Sequence, residues 1–167
     1  MAITSVMSQF RSLILCVTIA TLTAPLAAKS SLGVYSNWAT FRDDDGKRCY
    51  AIAKPRSSKK TGSYASLGTW PELDIRNQLH IRLSQAARAG VNARLRIGGE
   101  TFELATKGRD AWAKDARMDA AITAALRSAS QMRVSVQSAN GGRINDRYSL
   151  SGVATAMDAS IVGCAGR

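Results

Sequence analysis

His80 is the only histidine of this 167-residue chain, so general-base chemistry near neutral pH would fall to it. A Ser–His–Asp set meets only in space, and what a sequence can show is a nucleophile motif beside it. No Gly-x-Ser-x-Gly elbow is present, and alternation places His80 on the solvent side of a strand, next to Arg82. Asp43, Asp44, Asp45 and Gly46 resemble the start of a calcium loop, but the later ligands and the terminal Glu are missing. Lys47 and Arg48 oppose a cation there, and the run reads as a hairpin turn. Gly98-Gly99 and Gly141-Gly142 lead into strands, not into a helix whose first turn would hold a phosphate. Neither catalysis, a cofactor nor a metal is expected.

The cysteines point to a compartment. Met1–Gln9 is polar, Arg11 carries the only charge before Lys29, Leu13–Ala20 is apolar, and Leu26-Ala-Ala28 supplies small residues. That order is a secretory signal peptide, too short in its apolar part to span a membrane, with cleavage expected after Ala28. Cys16 leaves with it. Cys49 and Cys164 remain in a mature chain of residues 29–167, an even number in an oxidising compartment, so a disulfide is the default. It would close a loop of 115 residues. One histidine with two distant cysteines does not make a zinc site.

The third chemistry is charge. Without Arg11, 22 basic residues oppose 12 acids, a formal mature charge of +10. Nucleic acid would be the first partner of a cytosolic protein so charged. Export replaces it with anionic glycans, lipopolysaccharide phosphates or acidic membrane surfaces, unless the charge serves solubility alone. Arg82, Arg94, Arg96, Arg133, Arg143 and Arg147 all fall on the outward positions of strands. Arginine's planar fork suits sulfate and phosphate. On neighbouring strands the six would form a stripe that Arg56, Lys59 and Lys60 extend. Spread over two sheets they would be merely solvated, and from sequence alone that plainer reading weighs more. Tyr64 and Trp112 are candidates for stacking, although Trp112 is expected beneath the helix that follows it.

Stepping along the chain, Gly33–Phe41 reads as a strand and Cys49–Ala53 as its partner, followed by a basic loop over Pro55–Ser63. Leu79, Ile81 and Leu83 alternate with polar residues; Val91–Ile97 does the same and returns through Gly98-Gly99 to Thr101–Leu104. Asp115 caps a helix to Ser128 with Met118, Ile122 and Leu126 on one face. Gln131–Gln137 and Ile144–Leu150 form a last hairpin, in which Asp146 falls on the buried side and suggests a bulge or an exposed start. A second helix over Val153–Val162 has Ala154, Met157 and Ile161 as its apolar face. Three hairpins with helices at intervals argue for a mostly β (α+β) domain, an antiparallel β-sandwich or partly open barrel with one or two covering helices.

Trp38-Ala-Thr-Phe, then Gly46-Lys-Arg-Cys-Tyr-Ala-Ile-Ala-Lys-Pro55, resembles the opening signature of the invasion-associated locus B family. Ala111-Trp-Ala113 before a helix, then Gly142-Arg-Ile-Asn-Asp-Arg-Tyr-Ser-Leu-Ser-Gly152 and a final helix ending in Cys164, is similar to its second half. Leu83–Gly90 departs from the Gly–aromatic–Pro segment of many members, so nothing residing there is carried over. The resemblance implies an exported protein of Gram-negative bacteria, in the periplasm or at the outer membrane and cell surface, linked in some pathogens to host-cell invasion. It implies no enzymatic activity and transfers no binding residues. The expectation is therefore an exported, non-catalytic, disulfide-stabilised interaction protein. Its basic face would meet an anionic glycan, lipopolysaccharide, or an envelope or host surface protein. The alternatives are a periplasmic chaperone or inhibitor-like module gripping proteins at a sheet edge, and a hydrolase using His80.

Overall fold

The computed structural model describes residues 29–43, 45, 47–56 and 62–165. The expected signal peptide, Lys59 and Lys60 lie outside the described residues. Ten antiparallel strands form one sheet: β1 (Lys29–Tyr35), β2 (Trp38–Asp43), β3 (Cys49–Ala53), β4 (Tyr64–Trp70), β5 (Ile75–Arg82), β6 (Ala93–Ile97), β7 (Glu100–Lys107), β8 (Asp110–Trp112), β9 (Gln131–Gln137) and β10 (Arg143–Ser149). Their spatial order is β1-β2-β3-β4-β5-β8-β7-β6-β9-β10, with edges at β1 and β10, so the sheet is not closed into a barrel. Helices α1 (Ala116–Ser128) and α2 (Val153–Cys164) complete the mostly β architecture. β7 joins the two halves: Glu100–Leu104 pair with β6 and Ala105–Lys107 with β8. A strand that changes partners along its length turns a corner in a sheet.

Alternation decides the two faces. Ala51, Ala53, Leu67, Leu79, Ile81, Leu95, Ile97, Val134 and Ile144 face inward and are buried in one core. Helix α2 packs on β1 to β4, and α1 mainly on β5, both against this inner face. Asp115 caps α1 as expected, accepting the Met118 N–H at 2.8 Å. In α2 the buried residues are Val153, Ala156, Met157, Ser160 and Cys164, so the apolar face is turned from the expected Ala154–Met157–Ile161 line. Cys49 and Cys164 are bonded, tying the last residue of α2 to β3.

Three expectations are corrected. Gly33–Phe41 is not one strand, because Ser36 (φ 53°) and Asn37 turn the chain between paired Tyr35 and Trp38. The turn is held from outside, by the Asn37 N–H on the Ser151 carbonyl at 3.3 Å. Gly152 (φ 86°) backs against it so closely that a Cβ there would collide with the Tyr35 carbonyl. β4, the second correction, is a central strand that the sequence reading left unassigned; its Ala65-Ser-Leu-Gly-Thr69 run is too small and mixed to show a clear period. Thirdly, Asp146 sits on the buried side of β10 with neither bulge nor exposure, since β9 and β10 pair in unbroken register. Its Oδ2 accepts the Ser84 N–H at 2.8 Å. That bond anchors the segment crossing from β5 to β6, which also bonds to the β7–β8 and β9–β10 turns.

Asp119 of α1 plays a similar part, accepting the Leu79 N–H of β5 at 2.9 Å through Oδ1. Burial pushes its carboxyl above the ordinary carboxylate range, and the Leu79 N–H offsets this only in part.

Each of these anchors predicts a measurable loss. Cys164→Ser should lower stability by up to about 4–5 kcal/mol on the chain-entropy model; equal melting of variant and wild type under oxidising conditions would sink the claim. Asp146→Ala should cost about 1–3 kcal/mol by stranding the Ser84 N–H, and Asp146→Asn should cost less, both read as urea midpoints. For Asp119 the folded carboxyl binds its proton more tightly than the unfolded one. The stability it contributes is complete below the unfolded pKa and is lost as pH rises through the folded value. Asp119→Asn, which keeps an acceptor, should therefore gain on wild type as pH rises from the acid range towards neutrality; parallel curves would contradict this.

Candidate functional site

Side chains on the outer face are ranked in rows by the cross-strand register. Directly opposed residues in an antiparallel pair hold their Cβ atoms about 4.5–5.5 Å apart. In the β6–β9–β10 half, Arg96 stands opposite Arg133, and Arg133 opposite Arg147. Three arginines thus lie side by side on three successive strands. Arg94, one pair further along β6, faces Ser135 on one side and Glu103 on the other. Arg143 faces Gln137. All five are exposed, and none of Arg94, Arg96, Arg133 and Arg143 enters an ion pair among the described residues. Arg56 joins them at the sheet edge, donating its backbone N–H to the Arg147 carbonyl at 2.6 Å. Like charges placed directly opposite destabilise a sheet. An anion whose oxygens bridge adjacent forks would relieve that repulsion, and guanidinium is built to bond it in pairs.

Arg82 does not belong to this row. It lies on β5, separated from β6 by β7 and β8 in the sheet order, and grips Asp110 through both carboxylate oxygens at 2.9 and 2.7 Å. Of the six outward arginines, five thus lie on β6, β9 and β10, where the sequence alone favours a scattered set, and the sixth is paired elsewhere. Burial of Asp110 resists its ionisation, but the bonds from Arg82 and His80 outweigh it and hold the carboxyl below its usual range.

His80 faces outward as expected. Its Nε2 lies 3.0 Å from Asp110 Oδ1, and its ring meets Tyr64 edge-on at 5.7 Å between centroids. Ser66 stands directly opposite His80 in the register, yet its hydroxyl donates to the His80 backbone carbonyl at 3.5 Å instead of to the ring. Asp110 thus orients the imidazole, and the Ser66 hydroxyl is engaged with the backbone beside it. At the β2–β3 turn, the Lys47 N–H bonds Asp45 Oδ1 at 3.1 Å, a local turn contact. No group of three metal-ligating side chains gathers among the described residues.

Trp112 is displaced from its expected place. It is opposite His80 on β8, half-buried on the outer face, and lines a depression with Tyr50, Tyr64 and Trp70. Tyr50 and Trp70 were not singled out by sequence reasoning. The one signal available was Gly68, an outward-facing glycine two residues before a tryptophan.

The fold has a counterpart of known structure: the crystal structure of invasion associated protein B from Bartonella henselae superposes with a TM-score of 0.55 at 16% identity. The match covers 78% of this chain and 95% of that one. No curated protein sequence matches the chain significantly. A family model described as "Invasion associated locus B (IalB) protein" matches residues 38–160, a span that runs from the buried Trp38 through Asp146 to Ser160 of α2. The chain is thus a member of the invasion associated locus B family.

Proposed function

We propose that this family member is an exported, non-catalytic binding protein that engages anionic glycans or the phosphates of lipopolysaccharide through its arginine ladder. The observation that carries the reading is the adjacency of Arg96, Arg133 and Arg147, three like charges that the register holds side by side. A surface serving solubility alone gains nothing from that repulsion, since dispersed charge does the same work. Export is supported by the layout of the first 28 residues, by family membership, and by a disulfide of the kind that oxidising compartments maintain. The periplasm, the outer membrane and the cell surface all accord with it. At the surface, such binding would contribute to adhesion or host-cell invasion, in keeping with the name of the Bartonella henselae relative.

The alternative of a chaperone-like module gripping other proteins at a sheet edge has less behind it. Arg56 already occupies part of the β10 edge, and β1 carries an irregularity between Ser31 and Gly33 that interrupts its pairing. Bulged or covered edges are poor templates for strand addition.

Binding of the disulfide-bonded protein to lipopolysaccharide and to a sulfated glycan, followed across a salt titration, tests the reading. Affinity should fall steeply with ionic strength, and Arg96→Gln with Arg133→Gln should weaken it about tenfold or more, that is by about 1.4 kcal/mol or more. Salt-insensitive binding, or an unchanged double variant, would move the search to protein partners.

A further inference from the structure

A second feature of the outer face lies apart from the arginine ladder, in the β3–β4–β5–β8 half. Two rows of the register build it: Tyr50–Gly68–Gln78 and Ser66–His80–Trp112. Gly68 leaves the first row without a side chain at its centre. The Trp70 indole leans back along its own strand into that gap, so close that a Cβ on Gly68 would strike the ring. The result is a concave site of about 470 Å³, within the range of about 300–1,000 Å³ typical of small-ligand sites.

Its chemistry is mixed in a particular way. Aromatic rings of Tyr50, Tyr64, Trp70 and Trp112 supply flat apolar surfaces, while Gln78, Ser66 and the Asp110-bound His80 bring hydrogen-bonding groups among them. Two cations border the site. The Arg48 guanidinium lies 4.6 Å from the Tyr50 ring centroid and 5.8 Å from that of Trp70, and Lys29 Nζ lies 5.5 Å from Tyr50. Arg48 Nε is also 2.9 Å from Asp43 Oδ2, an ion-pair distance. Two cations against one carboxylate leave a net positive rim, and stacking on rings holds the cations in place.

We infer that this depression is a binding site for an acidic sugar: a pyranose whose C–H face stacks on the indoles, whose hydroxyls meet Gln78 and His80, and whose carboxylate meets Arg48 and Lys29. A purely apolar ligand would leave the polar groups of the site unpaired, which costs affinity. A bare inorganic anion would leave the aromatic surface unused. A ring with one polar edge, one apolar face and one negative charge uses all three. Two sources present that shared chemistry, sialic acid on host surfaces and the octulosonic acid of bacterial lipopolysaccharide.

Two of the three tryptophans, Trp70 and Trp112, line the depression, and the third, Trp38, is fully buried. Intrinsic fluorescence therefore reports on the site directly. The disulfide-bonded protein should be titrated with free sialic acid, octulosonic acid, galacturonic acid and glucose. Saturable fluorescence change with one or more of the acids, at least tenfold stronger than with glucose, is expected, and whichever acid binds tightest names the source. Trp70→Ala and Arg48→Gln should each reduce binding tenfold or more. Gly68→Ala, which only tilts a flexible indole, should weaken it several-fold and keeps the test open if Trp70→Ala fails to fold. The Arg96→Gln/Arg133→Gln variant should bind these monosaccharides as wild type does, which separates this site from the ladder. No saturable response to any acid, glucose bound as tightly as the acids, or wild-type binding by Gly68→Ala and Arg48→Gln would overturn the inference.

Discussion

Everything distinctive about this molecule follows from one constraint: both helices cover the same face of a ten-stranded sheet. Strand side chains alternate between faces, so each outward position is turned away from the core the moment its neighbour joins it. The inner series, from Ala51 and Leu67 to Val134 and Ile144, is almost wholly apolar and fully buried. The outer series is free to carry charge and rings in whatever order the register imposes. The arginine row and the aromatic depression both depend on which residue stands opposite which.

The inner face is held by a few long-range polar ties as well as by packing. The Cys49–Cys164 bond secures α2 to β3. Thr40 donates to the Ala156 carbonyl at 3.1 Å, and the Trp38 indole N–H to the Ser149 carbonyl at 3.0 Å. Asp119 and Asp146, both buried, each accept a backbone N–H from a segment far away in sequence. A buried carboxylate that satisfies a backbone donor is tolerated where an unpaired one would not be. These ties keep the strand order fixed, and with it the rows outside.

The outer face divides its work between two chemistries. On β6, β9 and β10 the register sets Arg96, Arg133 and Arg147 on adjacent strands, an arrangement suited to several phosphate or sulfate oxygens at once. Around β3, β4, β5 and β8, Lys29 of β1 and Arg48 just before β3 rest on aromatic rings beside a hollow, an arrangement suited to a single ring-shaped acid. If both proposed sites bind as their chemistry implies, a polyanionic glycan with acidic sugars along it would engage both.

Much of this was legible in the sequence. Alternation located β5, β6, β9 and β10, the Gly98-Gly99 pair marked a hairpin, Asp115 marked the start of α1, and the two cysteines outside the expected signal peptide pointed to the disulfide. These are local signals, in which the residue's own chemistry or its immediate period suffices. What the sequence left open was partnership. The run of small residues in β4 hid a central strand because Ala, Ser and Gly bury little area and show no contrast between faces. Asp146 looked misplaced because its donor, the Ser84 N–H, lies 62 residues away. Trp112 pointed outward because its strand pairs with β5 and α1 lies on the opposite face. The sequence by itself determined, through alternation, which residues of β5, β6, β9 and β10 face in and which face out. Only the tertiary structure decided that Arg96, Arg133 and Arg147 are neighbours while Arg82 is spent on Asp110, because strand order and register are set by contacts between segments that no local pattern encodes.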